Sequence, residues 1–376
     1  MPQYKTDCRF FSGYKPCTFK RPCEDCPHYD PIETEILIIN LDAMGDVMRS
    51  TALLPLLKRT YPNSRIQWLT RKSAAPLLHN NPLLDRVWLM SDESVQTLLG
   101  LNFDLICNID KDRLSGSLAV RIPATEKRGF GIDRRGNIVM LNKAAELLYD
   151  IGLDDELKAN INKKNEQQLV AETMGFAWQR DPYVLRLTDE EDASAAAWRE
   201  QLACQVVIGI NTGCAATIPY KKLTESGQTA LIRHILDGSD SLDLKIVLLG
   251  GPPEEELNQR IAATIGDPRV VESPCRQGVR RGILYEAACD VVCSGDTLGM
   301  HIAIALGKFV VTWFAPTCAH EIDLYERGTK FELQLDCAPC WRHVCDKETR
   351  CQDLVDTKAM ASEALRYAQQ HLAASN

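Results

Sequence analysis

The sequence predicts an α/β protein: two doubly wound, Rossmann-like parallel-sheet domains in tandem, facing a cleft. Three observations carry that prediction. Short apolar runs alternate with helix-forming stretches along most of the 376 residues. Several of those runs lack period-2 alternation, the pattern of a strand buried on both faces. The chain is also too long for one ordinary core and suits two.

The elements follow in order. "EILIINL" (35–41) reads as a buried parallel strand. A short turn and one helix come next, with Val47, Leu53, Leu54, Leu56 and Leu57 on its apolar face. "SRIQWLT", "DRVWLM" and "FDLICNI" are further strands. The polar stretch 152–183, with a break at Asp181-Pro182, marks the domain boundary. A second series begins with the strands "QVVIGINTG" and "LKIVLLGG" and the helix "EEELNQRIAATIG". It continues with the strand "CDVVCSG", the helix "TLGMHIAIALG" and the strand "KFVVTWF". Strand–helix alternation with short connections implies right-handed crossovers within each sheet. An amphipathic helix from Thr357 to Leu372 should pack back on a domain. The expected division is 1–31 and 336–352 as cysteine segments, 32–180 and 181–335 as the two domains, and 353–376 as the terminal helix.

Composition narrows the function. With 45% apolar and 25% charged residues the chain has a globular composition. A net charge of −8 gives no bulk support for a nucleic-acid partner. No run approaches the roughly 18 apolar residues of a transmembrane segment. The N-terminus lacks the apolar centre of a secretory signal, so a cytoplasmic protein with at most peripheral membrane contact is expected.

Four motifs sit at strand ends. In "LDAMGDV", Gly45 lets backbone approach a ligand where a helix begins, and helix N-termini favour anions. Asp46 there reads either as a helix cap or as a catalytic carboxylate. No GxGxxG is present, so dinucleotide binding is not supported. In "NTGCAATIPYKKL", Asn211, Thr212, Gly213 and Thr217 offer donors, and Lys221 and Lys222 offer charge, a set that suits phosphate. In "LLGGPPEE", Glu254 or Glu255 can accept from ribose hydroxyls, or can simply complement the helix dipole. In "CSGDTLGMHIAIALG", Asp296 and Thr297 open a helix whose free N–H groups can hold a diphosphate. Met300 and His301 lie one turn in, where a lone histidine reads equally well as structural.

Taken in order, these motifs resemble glycosyltransferase family 9, the bacterial ADP-heptose:lipopolysaccharide heptosyltransferases, over roughly residues 34–330. The hallmarks are Gly-Asp after the first strand, a Gly loop ending in Lys, a Gly-Gly-Pro strand end, and Asp-Thr followed by Met-His. The resemblance implies a GT-B fold, an inverting mechanism, an ADP-heptose or related donor and no catalytic metal. It implies a lipid-linked saccharide of the lipopolysaccharide core, or a protein hydroxyl, as acceptor. Asp46 matches the family's general base and Lys221 the lysine that steadies the donor phosphates. Asp296, Thr297, Met300 and His301 match the donor-binding motif, and Glu254 a ribose contact. Gly45, Thr212 and Gly213 complete the implied ligand-binding set. The chain departs from the pattern at Leu298, usually Gly, and at Leu223, usually aromatic. A nucleotide-sugar epimerase or hydrolase, or a non-catalytic metal-binding scaffold, are the competing readings.

Cysteines add a separate signal. Eight of the fifteen form two groups, Cys8-x8-Cys17-x5-Cys23-x2-Cys26 and Cys337-x2-Cys340-x4-Cys345-x5-Cys351. Disulfides are disfavoured in a reducing compartment. Four thiolates suit one tetrahedral zinc or iron ion, and an iron–sulfur cluster takes the same ligands. His28 is a spare donor. Both groups lie outside the donor motifs in sequence, so a structural role is expected. The C-terminal group resembles, in position, the cysteine-bound iron finger of the autotransporter heptosyltransferase branch, which modifies protein serines.

Overall fold

A computed structural model describes residues 4–239 and 242–375. The chain divides into two compact units. The first holds the chain up to Ala75, Asn81–Asp154 and Gln167–Asp181. The second holds Pro76–Asn80, Asp155–Glu166 and everything from Pro182 onward. The chain passes between units more than once within the polar stretch 152–183, and also on either side of Pro76–Asn80.

The first unit is one sheet of β1 (Thr34–Ile39), β2 (Ser64–Thr70), β3 (Arg86–Leu89), β4 (Phe103–Asn108), β5 (Ala124–Ile132) and β6 (Ile138–Met140). Their order is β3-β2-β1-β4-β5-β6. All neighbours run parallel except the edge pair β5–β6. Ile36, Leu37, Ile38 and Ile39 are wholly buried, which is why β1 reads as an unbroken apolar run.

The single helix expected after β1 is two helices, Met44–Ser50 and Leu53–Thr60. Pro55 supplies the reason. It has no N–H for the Thr51 carbonyl, and its ring crowds that position. The Thr51 hydroxyl instead donates to Met48 O at 2.6 Å.

The second unit is a sheet of β7 (Val206–Asn211), β8 (Leu244–Leu249), β9 (Val270–Glu272), β10 (Val291–Gly295), β11 (Phe309–Phe314) and β12 (Gly328–Glu332). Its order is β12-β11-β10-β7-β8-β9, parallel throughout. The terminal helix, Thr357–Ser375, packs on the helix Glu225–Asp237 of the same unit. It buries Met360, Ala361, Ala364, Leu365 and Ala368, and the Tyr367 ring stacks on Phe309 at 3.9 Å. No helix among the described residues is long and apolar enough to cross a membrane.

Both sheets place their first strand beside their fourth. Successive connections leave that point in opposite directions, which opens a crevice at the carboxyl ends of β1 and β4, and of β7 and β10.

Candidate active site

In the second unit, the loops after β7, β8 and β10 meet at that crevice. Asn211 ends β7 and ties two of them together. Its Nδ2 donates to Thr297 Oγ1 at 2.7 Å, Ser294 Oγ at 3.0 Å and Gly213 O at 3.2 Å. Lys221 Nζ pairs with Asp296 Oδ2 at 2.9 Å, and His301 Nε2 lies 3.7 Å from Asp296 Oδ1. The other His301 nitrogen, Nδ1, is 3.3 Å from the Tyr183 hydroxyl. Burial alone would raise the Asp296 carboxyl, but the charges of Lys221 and His301 outweigh it and hold the group below its ordinary value.

Close packing brings these groups together. A Cβ on Gly295 would stand 1.7 Å from Lys221 O, so only glycine lets the lysine loop lie across the end of β10. One on Gly213 would stand 2.7 Å from Glu254 Cδ. The structure thereby separates the two adjacent glutamates. Glu254 is buried, accepts from Gly251 N at 3.1 Å and lies 3.7 Å from Lys222 Nζ. Glu255 turns away to Arg276 at 2.5 Å.

The helix Leu298–Ala305 begins at Thr297 with no side-chain cap, because the Thr297 hydroxyl is held by Asn211. Trp313 Nε1, buried beside Gly295, has no hydrogen-bond partner among the described residues. An ammonium, a helix N-terminus and a buried indole N–H together suit a diphosphate.

Two expected ligand contacts lie elsewhere. The Thr212 hydroxyl is wholly buried, 2.9 Å from Leu249 O and 2.6 Å from Asn258 Oδ1, and so braces the loop from inside. Met300 is wholly buried, its sulfur accepting from the Thr312 hydroxyl at 3.4 Å. Successive side chains on a helix point about 100° apart, so Met300 turns into the core while His301 stays beside Asp296.

In the first unit, Gly45 and Asp46 occupy the first turn of Met44–Ser50. Asp46 Oδ2 accepts from Ala43 N at 3.2 Å, and Oδ1 pairs with Arg49 at 2.8 Å. The carboxylate is thus a helix cap, and its side chain is 44% accessible.

Asp110, two residues beyond β4, was not singled out from sequence. The available signal was a carboxylate at the carboxyl end of the strand beside β1. It accepts from Leu41 N and Asn40 Nδ2, both at 2.5 Å, and so pins the loop that delivers Asp46. Burial pushes its carboxyl up to about 7, with Asp112 and Asp46 adding repulsion against the two hydrogen bonds. A raised carboxyl contributes stability that is complete below about 3.8 and lost as pH rises to about 7. Denaturant unfolding of wild type and Asp110→Asn from pH 4 to 8 should show a shallower loss in the variant; identical slopes would contradict the assignment.

The C-terminal cysteine segment abuts the loop that carries Lys221, although the two lie far apart in sequence. Cys345 N donates to the Tyr220 hydroxyl at 2.9 Å, and Gln352 Nε2 to Lys222 O at 3.0 Å. The Arg350 guanidinium lies over the Tyr220 ring at 5.6 Å. Trp341 N donates to Pro316 O at 2.9 Å, beyond the end of β11. The segment therefore braces the turn that carries Lys221. Burial pushes the Cys351 thiol up to about 11, and Cys340, Cys345 and Cys337 lie near enough to add to that effect. Among the described residues no three His, Cys, Asp or Glu side chains already stand in a metal-holding arrangement.

Comparison with known proteins follows the same lines. Residues 93–350 match the sequence family glycosyltransferase family 9 (heptosyltransferase). No curated protein matches the chain in sequence. Among solved structures, the fold is similar to a family 9 glycosyl transferase from Veillonella parvula, with TM-score 0.73 and 14% identity over 90% of this chain and 98% of that one. It is similar to E. coli ADP-heptose lps heptosyltransferase II, with TM-score 0.65 and 18% identity over 90% and 99%. It is also similar to TibC, an iron-containing dodecameric glycosyltransferase from enterotoxigenic E. coli, with TM-score 0.52 and 11% identity over 91% and 77%.

Proposed function

Since the chain belongs to glycosyltransferase family 9, we propose that this glycosyltransferase moves a heptose from ADP-heptose, with inversion, to a hydroxyl of a lipopolysaccharide core or a protein. The observation that carries the reading is the Lys221–Asp296–His301 cluster at the β7/β10 crevice, beside the uncapped start of Leu298–Ala305. Donors converging there fit a nucleoside diphosphate.

The second unit holds the donor. Lys221, the helix N-terminus and Trp313 Nε1 face the diphosphate, and Glu254 accepts from the ribose. As the acceptor oxygen bonds to the anomeric carbon, the bond from that carbon to the diphosphate oxygen breaks. Charge grows on the departing ADP, where prearranged donors act most strongly. The Asp46 carboxylate takes the acceptor proton. Asp296 keeps Lys221 and His301 in place rather than touching the reacting atoms.

The test is mass spectrometry of products from ADP-heptose and other nucleotide sugars, offered with lipopolysaccharide-core and protein acceptors. Heptosylated acceptor and free ADP are expected. Donor consumption without acceptor modification would replace the reading with hydrolysis or epimerisation.

The four C-terminal thiols suit a structural zinc or iron ion. Cys351 has Cys340, Cys345 and Cys337 near it, and four thiolates are a common donor set for either metal. Bound there, the ion would stiffen the segment that holds the lysine turn. Tyr220→Phe removes the acceptor for Cys345 N–H, a bond worth about 0.5–1.5 kcal/mol. ADP affinity measured by calorimetry should fall about 2- to 10-fold, with turnover at saturating donor unchanged. Unaltered affinity would show that the bracing does not reach the donor.

A further inference from the structure

The N-terminal segment has an inside made of thiols. From Ser12 to His28 the only residues that are not exposed are Cys17, Cys23 and Cys26. No residue from Tyr4 to Pro31 is fully buried. A segment of this length normally turns apolar side chains inward, yet here Tyr14 is 83% exposed and Phe10 and Phe19 lie at the surface.

The backbone repeats around those thiols. Phe11 N donates to Cys8 O, Lys20 N to Cys17 O and Tyr29 N to Cys26 O, so three cysteines open the same kind of turn at intervals of nine residues. Two positions after each stands a ring: Phe10, Phe19 and His28. These rings form a column. Phe10 meets Phe19 edge-on at 5.0 Å, and His28 lies flat on Phe19 at 3.8 Å. Cys8, Cys17, Cys23 and Cys26 border one cavity of about 670 Å³.

The segment is anchored to the first unit. Arg9 pairs with Asp30 at 2.7 Å, contacts Asp85, and donates to Ser64 O at 3.1 Å. Ile32 N donates to Asp7 O at 2.8 Å. Ser64 and Asp85 stand at the amino ends of β2 and β3, whereas Asp46 follows the carboxyl end of β1. Six residues of strand, about 20 Å at 3.3 Å each, separate the two edges. The cysteine segment therefore does not shape the Asp46 crevice, despite its closeness in sequence.

We propose that Cys8, Cys17, Cys23 and Cys26 bind one thiophilic divalent ion, zinc or iron, as four thiolates, and that this ion is the core of the segment. Ordering each residue costs conformational entropy, and no apolar side chain of the segment is fully buried to offset that. Thiolate-bound zinc supplies the folding free energy of small domains that lack a core of their own. Binding draws sulfurs to about 2.3 Å from a common centre, and the cavity leaves room for that contraction. Each thiol releases its proton as it becomes a ligand, with no change in oxidation state. His28, stacked on Phe19, borders the same cavity, and four thiolates complete the ligand set without it.

The test needs no sugar transfer, so it stands or falls apart from the reading of the active site. Full-length protein is treated with iodoacetamide before and after chelation, and each cysteine is followed by peptide mass spectrometry. The four N-terminal cysteines should be protected before chelation and should alkylate at least tenfold faster after it. Elemental analysis should show one metal equivalent fewer in Cys17→Ser/Cys26→Ser than in wild type, and should identify the metal. Cobalt substitution should give thiolate-to-cobalt absorption that this variant loses in part. Equal alkylation with and without chelator, disulfide-linked peptides, or unchanged metal content in the variant would overturn the proposal.

Discussion

Replacing Asp46 by asparagine is expected to lower kcat by about 10²- to 10⁴-fold while ADP binding, measured by calorimetry, stays as in wild type. The substitution removes the only function a base needs, an oxygen that can take a proton. It also touches the helix cap, because Asp46 accepts from Ala43 N and pairs with Arg49. Loss of a cap costs about 0.5–2 kcal/mol, which lowers the melting temperature by a few degrees and does not mimic a thousandfold loss of turnover. A variant that melts like a cap mutant and still transfers at full rate would remove Asp46 from the chemistry. Asp110 holds the neighbouring backbone by accepting from Leu41 N and Asn40 Nδ2. It is a positioning residue for the loop rather than an alternative base.

Gly295→Ala should have the largest effect on donor binding. The added methyl would stand 1.7 Å from Lys221 O and 2.9 Å from Lys221 C, both of them backbone atoms that cannot swing aside. Either the lysine turn lifts from the end of β10 or the strand end shifts. Overpacking of this kind costs about 1–3 kcal/mol, and lifting the turn breaks the Lys221–Asp296 pair. ADP affinity should fall at least tenfold, with the fold retained. Gly282→Ala is the control. Nothing lies within 4 Å of the added methyl there, and the site is inside the helix Val279–Ala287. Alanine should be neutral or stabilise by about 0.5–1 kcal/mol, with ADP affinity unchanged. If both variants bind ADP like wild type, the close approach at Gly295 has no bearing on the donor.

Most of the strands that proved legible are buried along most of their length: β1, β4, β7, β8, β10 and β11 are mainly apolar. β2 and β3 were read as well, although β2 carries Ser64, Arg65 and Gln67 and β3 is largely exposed. β5 was not legible: "ATEKRGFGI" places Thr125, Glu126, Lys127 and Arg128 in a strand near the sheet edge, where one side meets solvent. The break between the first two helices was written in Pro55 but is masked by the leucines around it.

The ligand-facing chemistry was legible as residue types. Glycine, lysine, aspartate and threonine at strand ends suit phosphate whatever their neighbours. Which of them meet was not. Thr212 and Met300 sit within the same motifs as Gly213 and His301, yet backbone direction turns them into the core. Glu254 and Glu255 differ by one helical step, and that step sends one to Lys222 and the other to Arg276.

By itself, the sequence determined the alternating α/β architecture, the family and the kinds of group available at each strand end. These follow from local periodicity and from short motifs, which a linear chain records. Tertiary structure alone decided the partnerships. A parallel sheet collects every carboxyl end on one edge, and an order that sets the first strand beside the fourth brings Asn211 to Thr297 and Leu41 to Asp110. The same geometry parts the two cysteine groups. One lies against the lysine turn from the far end of the chain, and the other sits at the opposite edge of the strand that leads to Asp46. Distance along a chain carries no information about which edge of a sheet a segment will reach; the hydrogen-bonded register of the strands sets that.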